Sequence, residues 1–366
     1  MGKRYHTFLL LKMEVMPVRK LAPSTRIQDE FETSLYWTQV LNFWRLPQRM
    51  KHFPAANPVS IQRSNFKALK KDSFMCGLKT DGVRHMLLLT TKPQSTLPIA
   101  IMIDRAKNMY EVEIWAHEDY FLKGTLIDGE LVWNRTNKDS MIYVAFDVIL
   151  SRGEYLVREP YKDRLSHLHN IILCVDDSIG GNSIEQQLLE EQKIIAQNND
   201  YNICMIPKRC VTKNQLNILW EQRFGETHAN DGIIFTMNTG GLDTGTSKFV
   251  YKWKSQHTID IHAQVGKHGW EFRVNSNIDD SLIDINKIGA SRTFFVIPNK
   301  LLDALQNRQP CIIECILRTE EDNKASLEPE RQRTDKSTAN NVRTVLATLL
   351  NVEENITAEE IFECIN

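Results

Sequence analysis

Lys79-Thr80-Asp81-Gly82-Val83-Arg84 places a lysine, a carboxylate, a glycine and an arginine between two apolar runs, residues 74–76 and 86–89. Strands that pause at such residues read as a site rather than as core. A lysine flanked by apolar strands is partly desolvated. Desolvation lowers its pKa and leaves a fraction of it as free amine, the nucleophilic form. Four more charged motifs sit in or beside apolar strands: Asp128-Gly129-Glu130, Asp231-Gly232, Lys252-Trp253-Lys254 and Arg333-Thr334-Asp335-Lys336. The alternation in Lys252-Trp253-Lys254 points both amines to one face of a strand. Two such amines beside a nucleophilic lysine would lower its pKa further and would grip phosphates. Two acidic residues at strand ends can hold a divalent metal or a ribose hydroxyl. Taken singly, each motif is more often a turn or a solvated charge. Their combination points to phosphoryl chemistry on an amine.

These residues need strands to hold them, and the sequence supplies many. Short apolar or alternating runs over 86–90, 99–103, 110–115, 125–133 and 141–150 predict a sheet-rich domain. Helical spacing of Trp37, Val40, Leu41 and Trp44 predicts a helix over 29–43, and further helical patterns run over 184–197 and 214–220. Gly180-Gly181 and the stretch 240–245 read as loops, the second mobile and leading into a strand over 249–254. After Lys254 short strands over 259–265, 293–297, 270–274 and 311–317 suggest a small barrel. A charged loop over 320–324, an amphipathic helix over 340–350 and a capping box at Thr357 and Glu360 complete the chain.

Two domains suit 366 residues. A net charge of −1 excludes the global basic field of a dedicated nucleic-acid binder, although residues 1–70 lean basic and the last fifty or so lean acidic. Seven cysteines, an odd number without CxxC or zinc spacing, argue for reduced thiols and against a disulfide or zinc framework. The apolar run 8–11 is too short for a signal core or a span, and His6 breaks the myristoylation pattern. The expectation is a soluble protein of the nucleus or cytoplasm.

In their order, these motifs resemble those of the covalent nucleotidyltransferase superfamily: mRNA capping enzymes and the ATP- or NAD-dependent polynucleotide ligases. Lys79-Thr80-Asp81-Gly82-Val83-Arg84 resembles the first motif (KxDGxR), Asp128-Gly129-Glu130 the third, and Val144-Ala145-Phe146-Asp147 its extension. Asp231-Gly232 resembles the fourth and Lys252-Trp253-Lys254 the fifth. The likeness runs from about Asn57 to the C-terminus. Three details resemble the mRNA capping enzymes in particular. They are Asn57-Pro58-Val59-Ser60 ahead of the lysine motif, His257-Thr258-Ile259-Asp260 after the two lysines, and the terminal stretch from Arg333 to Asn340, with Ala339 where the family carries proline. The tail over 349–357 is similar to that of the compact chlorella virus members, which would make this a viral protein acting within an infected cell.

The resemblance implies an α+β protein. An ATP-grasp-like nucleotidyltransferase domain of antiparallel sheets and helices would cover 1–254, with 1–50 as an N-terminal extension. An OB-fold β-barrel would cover 255–340, and C-terminal helices over 341–366 would pack back on the first domain. It implies Lys79 as the nucleophile on the α-phosphate of GTP, giving a covalent lysyl-GMP and pyrophosphate. Lys252 and Lys254 would meet the α-phosphate, and Arg84 and Arg105 the sugar or phosphates. Thr80 and Asp335 belong to the nucleotide-binding motifs. Glu130 would bind ribose or support the metal, and Asp231 would bind Mg2+ or Mn2+. Phe146 would stack on guanine, with Ile234 covering the opposite face. Arg333 and Lys336 would orient the β- and γ-phosphates when the barrel closes. GMP would then pass to RNA with a 5′-diphosphate end.

Family members of viral origin read the guanine O6 with a lysine just before an Ile-Pro pair. Here Met205 precedes Ile206-Pro207 and Lys208 follows, so the donor is Lys208, a hydroxyl or a backbone N–H. Glu111-Val112-Glu113 is similar to the paired glutamates of metal-dependent RNA triphosphatases but reads as an exposed strand face. Neither a phosphatase HCxxGxxR nor a glycine-rich methyl-donor site is present, so a separate RNA triphosphatase and cap methyltransferase are expected partners. The alternatives are an ATP-dependent DNA or RNA ligase using the same lysine, or a non-catalytic RNA-binding or assembly module.

Overall fold

This computed structural model describes residues 21–23, 25–137, 139–173, 184–197, 203–279, 281–288, 292–305, 309–334 and 336–365. The Gly180-Gly181 loop, Cys174 and Asp335 lie outside them. The chain opens with β1 (Thr25–Arg26), α1 (Glu30–Trp44), β2 (Ala56–Ser60), α2 (Phe66–Lys71) and β3 (Phe74–Thr80). Then come β4 (Val83–Thr91), β5 (Pro98–Asp104), β6 (Met109–Val112), α3 (Glu118–Leu122), β7 (Thr125–Trp133), β8 (Met141–Ser151) and β9 (Glu154–Tyr155). They are followed by α4 (Tyr161–Leu173), α5 (Ile184–Gln197), β10 (Ile203–Pro207), β11 (Cys210–Thr212), α6 (Leu216–Glu221), β12 (Asn230–Met237) and β13 (Gly245–Lys254). The last part holds β14 (Thr258–Gly266), β15 (Gly269–Asn275), β16 (Leu282–Asp284), β17 (Thr293–Val296), α7 (Lys300–Leu305), β18 (Cys311–Glu320), β19 (Lys324–Gln332), α8 (Val342–Glu354) and α9 (Ala358–Ile365).

The strands form three sheets, mostly antiparallel. The first has eight strands, in the order β1-β6-β5-β4-β7-β8-β10 with β9 on β8; the second has the order β11-β3-β12-β13-β2. Alternation along β4 and β7 sends Leu87, Leu89, Ile127 and Leu131 to a core beneath α4 and α5. Met86, Leu88 and Leu126 go to the other face, where α1 lays Tyr36, Val40 and Trp44 upon them. Asp29 caps α1 by accepting from Glu32 N at 2.9 Å, and Glu30 and Glu32 suit the helix dipole. On the second sheet Phe74, Cys76, Leu78, Ile233, Phe235 and Trp253 face a core shared with α6 and α9. The alternate residues of β3, β12 and β13 therefore face the first sheet across a cleft.

The third sheet runs β16-β15-β14-β18-β19-β17 and encloses an apolar core with α7 and α8. Its edge strands β16 and β17 do not pair, so the expected barrel stays open at that seam. The strands over 259–265, 270–274, 293–297 and 311–317 are present, and β16 and β19 add two that the pattern did not reveal. The C-terminal helices divide between the two parts. Val345 and Leu349 of α8 pack into the third sheet's core, whereas Ala358, Ile361 and Ile365 of α9 enter the core of the second sheet. Asn355, left-handed at φ 43°, turns the chain between them. The capping box forms as expected: Glu360 N donates to Thr357 Oγ1 and Thr357 N to Glu360 Oε2, both at 3.2 Å. Arg63, just after β2, grips Glu360 at 2.8 Å, and Trp253 Nε1 donates to Ile356 O at 2.8 Å.

Candidate active site

A cavity of about 430 Å3 opens between the first two sheets. Met75, Gly77 and Lys79 line it from β3, while Cys76 and Leu78 point away into the core. The same alternation turns Thr80 away, and its hydroxyl is buried without a hydrogen-bond partner. Ile234 and Thr236 from β12 and Val250 and Lys252 from β13 complete that wall. The opposite wall brings Arg84, Arg105, Asp128, Glu130, Phe146 and Asp147. Of the candidates drawn from the sequence, Lys79, Arg84, Arg105, Glu130, Phe146, Ile234 and Lys252 thus converge on one cavity.

Two β-bulges place residues that alternation would send elsewhere. On β12 the register against β3 shifts between Asn230 and Gly232, which makes Asp231 the extra residue. Its carboxylate lies 2.7 Å from Lys79 Nζ and 2.6 Å from Lys254 Nζ, so it bridges the two amines. Gly232 is required beside it, because any Cβ there would collide with the Trp253 carbonyl. On β8 the register against β7 shifts between Asp128 and Gly129, leaving Phe146 as the extra residue. Adjacent Phe146 and Asp147 both reach the cavity wall as a result. Asp147 is held by Arg164 at 2.7 Å, and Tyr161 donates to Phe146 O at 2.9 Å.

The electrostatics correct one expectation. The Lys79 pKa is raised, not lowered. Burial pulls it down, but the Asp231 carboxylate in contact with it, helped by Glu130, outweighs burial. Asp231 shows the complement: burial would raise its pKa, yet Lys79 and Lys254 hold it below its ordinary value. Burial pushes the Glu130 carboxyl up against the pull of Lys79, Lys208 and Arg84, and Glu130 accepts from Gly82 N at 3.2 Å. The lowered pKa expected of Lys79 is found at Lys252 instead. Burial, then Lys254 and Lys79, lower its pKa.

Arg84 lies across from Glu130 in the ladder but forks onto Asp128, at 2.9 and 2.6 Å, with a third bond to Ala56 O at 2.6 Å. Arg105 donates to Asn57 Oδ1 at 3.1 Å, which ties the segment ahead of the lysine motif to the cavity. Arg333 and Lys336 do not line the cavity. Arg333 Nη1 sits 2.9 Å from Asp260 Oδ1, and Lys336 pairs with the other oxygen of Asp260. Asp260 is the last residue of the His257-Thr258-Ile259-Asp260 stretch, and its role as holder of these cations could not be read from spacing. Asp128 and Asp147 stood in the motifs without a role of their own, and Tyr161 was not singled out, although Asp128 and Glu130, two apart on one strand, had to share a face. Glu111 lies on an exposed strand face paired with Lys92 at 3.2 Å, as expected. Among the described residues no helix is long and apolar enough to cross a membrane.

An amine held against a carboxylate on the wall of a cleft, with further lysines and a phenyl ring around it, is an arrangement suited to a nucleotidyltransferase. Residues 20–256 match the family model described as the mRNA capping enzyme catalytic domain, and residues 234–362 match its C-terminal domain. The chain belongs to the mRNA capping enzyme family. It is 25% identical to "mRNA-capping enzyme subunit alpha" of Schizosaccharomyces pombe, over 85% of this chain and 79% of that one. It is 26% identical to "mRNA-capping enzyme" of Mus musculus, over 86% of this chain but only 50% of that one. A solved mycobacterial DNA ligase D complexed with ATP and MES overlaps with a TM-score of 0.38 at 12% identity, over 78% of this chain and 98% of that one.

Proposed function

We propose that this chain is an mRNA guanylyltransferase that carries GMP covalently on Lys79. The single observation behind this reading is Lys79 Nζ, 2.7 Å from Asp231, on the wall of a cavity that also holds Glu130, Phe146 and Lys252. The amine attacks the α-phosphorus of GTP. The N–P bond forms, the bond to the bridging oxygen breaks, pyrophosphate leaves, and Nζ gives up two of its three protons to solvent. A 5′-diphosphate oxygen of RNA then attacks the same phosphorus, the N–P bond breaks, and Nζ takes up two protons to return to the ammonium.

Each neighbour has a task in that sequence. Asp231 fixes Lys79 and Lys254 in one plane of charge. Lys252 and Lys254 neutralise the α-phosphate as charge develops there. Phe146 and Ile234 offer apolar faces to the base, and Glu130 and Arg105 reach the ribose side. Lys208 projects into the cavity with Nζ 5.5 Å from the centroid of the Phe146 ring. A base stacked on Phe146 brings O6 within reach of that donor. Asp231 and Glu130 offer hard carboxylate oxygens beside Lys79, a donor set that fits Mg2+ or Mn2+. Such an ion, when bound, would supply charge neutralisation at the phosphates, and Asp231 would then be shared between it and the lysines. We place Arg333 and Lys336 on the β- and γ-phosphates after the third sheet closes over the cavity. We propose the boundaries 1–254 and 255–340 for the two parts, with α9 returning to the first. A separate RNA triphosphatase and methyltransferase would complete the cap, in the nucleus or cytoplasm.

Incubation with radiolabelled GTP or ATP and magnesium, followed by denaturing electrophoresis, tests the reading. A band labelled from GTP supports capping. A band labelled from ATP alone supports ligation, and no label supports a non-catalytic module.

A further inference from the structure

The eight-stranded and five-stranded sheets are joined at the back of the cleft by two residues, Lys208 and Arg209, between β10 and β11. Lys208 N still donates to Ala145 O on β8 at 2.7 Å, and Cys210 already pairs with Gly77 on β3. The crossover is therefore fixed to both walls. Lys208 sends its ammonium into the cavity, and Arg209 sends its guanidinium the opposite way. Arg209 is 8% exposed. Its Nε lies 3.2 Å from Glu191 Oε2 on α5, an ion pair without hydrogen-bond geometry, and Nη2 pairs with Glu226. Thr227 Oγ1 donates to the other oxygen of Glu191 at 2.6 Å. Glu191, Glu226 and His228 bring ligand atoms within 4.8 Å of one another, but the Arg209 guanidinium already lies against both carboxylates.

The ammonium of Lys208 has no such clamp. Among the described residues nothing hydrogen-bonds it, and only the Phe146 ring stands over it. Its place is set by its backbone and by the space above Gly77, where an added Cβ would lie 3.0 Å from Arg209 O and 3.1 Å from Lys208 Cε. We propose that Arg209, clamped between Glu191 and Glu226, is a positioning residue for Lys208, and that this cluster sets the preference for a purine with oxygen at C6. The proposal rests on Lys208 as the donor to O6. A purine with an amino group at C6 presents a donor to a donor and gains nothing from the alignment, so only nucleotides with a C6 oxygen should feel its loss.

The test uses the full chain and the rate of covalent labelling against concentration of GTP, ITP and ATP. Arg209→Lys keeps the charge but loses the fork; Glu226→Gln keeps the shape but loses one charge. Both variants should lose roughly tenfold in kcat/KM for GTP and for ITP, mainly through KM, as expected for one misaligned charge-assisted hydrogen bond. ATP labelling should stay unchanged, so the GTP-to-ATP ratio falls about as much. Equal loss for all three nucleotides means a purely structural cluster and overturns the proposal, as does an unchanged ratio. Should Arg209→Lys not fold, Glu226→Gln and Thr227→Val carry the same comparison. Lys208→Met separates the two levels. If it collapses the ratio while the cluster variants do not, the donor reading stands and the positioning proposal falls. If Lys208→Met leaves the ratio intact, both fall.

Discussion

Arg333→Ala should separate the two half-reactions. In this structure Arg333 is spent on the third sheet: 2.9 Å from Asp260 and 3.5 Å from Glu314, with its side chain only 14% exposed. Breaking a buried ion pair costs about 3–5 kcal/mol when the partner is left uncompensated. Here Asp260 keeps Lys336, and Glu314 keeps Arg331 at 2.5 Å. The expected stability loss is therefore smaller, about 2 kcal/mol. The effect on chemistry is separate. Loss of one charge-assisted contact to the β- or γ-phosphate costs on the order of 3 kcal/mol, about a hundredfold in the rate of lysyl-GMP formation. Transfer to RNA should hardly change, because those phosphates have left as pyrophosphate by then, and an interaction made only before the first transition state slows only that step. The assay isolates the labelled intermediate, adds diphosphate-ended RNA, and compares single-turnover rates of both steps well below the melting temperature. Arg331→Ala, a half-exposed neighbour on the same Glu314, is the control and should alter neither rate. Equal loss in both steps for Arg333→Ala would mean that Arg333 acts on RNA or on folding, and the closure mechanism would be refuted.

Three further outcomes follow from the same geometry. Lys79→Ala should abolish the covalent adduct while the melting temperature stays near that of the parent, since Asp231 keeps Lys254; an adduct of normal yield would remove Lys79 from its role. Labelling should require Mg2+ or Mn2+ and should fall at least tenfold in Asp231→Ala and in Glu130→Ala, the scale of a lost charged hydrogen bond; full activity in excess chelator would count against the metal. Burial, then Lys208, Arg209 and Arg135, lower the His228 pKa from 6.5 to about 3, so the imidazole is neutral in the folded chain. Below pH 6.5 the unfolded chain takes up a proton that the folded chain refuses, so stability falls with falling pH, by about 2 kcal/mol at pH 5. Denaturant titrations of His228→Asn between pH 7 and 5 should lose that part of the slope, and an unchanged slope would show that His228 is not the titrating group.

The sequence revealed what repeats and hid what breaks the repeat. Apolar alternation located β7 and β8 nearly to the residue, and helical spacing did the same for α1 and α5. It did not reveal β19, whose Lys324–Gln332 stretch carries three glutamate or glutamine side chains and a proline and owes its strand form to pairing on both sides. The motifs were visible as residue types in order, but face assignment by alternation fails at the two positions that count most. Strict period two would bury Asp231 with Ile233 and turn Phe146 away from Asp147. Bulges reverse both, and a bulge depends on the partner strand, which no local pattern encodes. The raised pKa of Lys79 has the same origin. Burial is local and was foreseen, whereas the outweighing carboxylate comes from 152 residues away in the chain. Lys208 and Arg209 complete the point. As a basic pair after Ile206-Pro207 they read as two like charges, yet folding sends one to the cavity and the other to two buried glutamates. The two residues of this crossover face opposite ways, so the donor proposed for the base and its proposed support are adjacent in sequence and opposite in space.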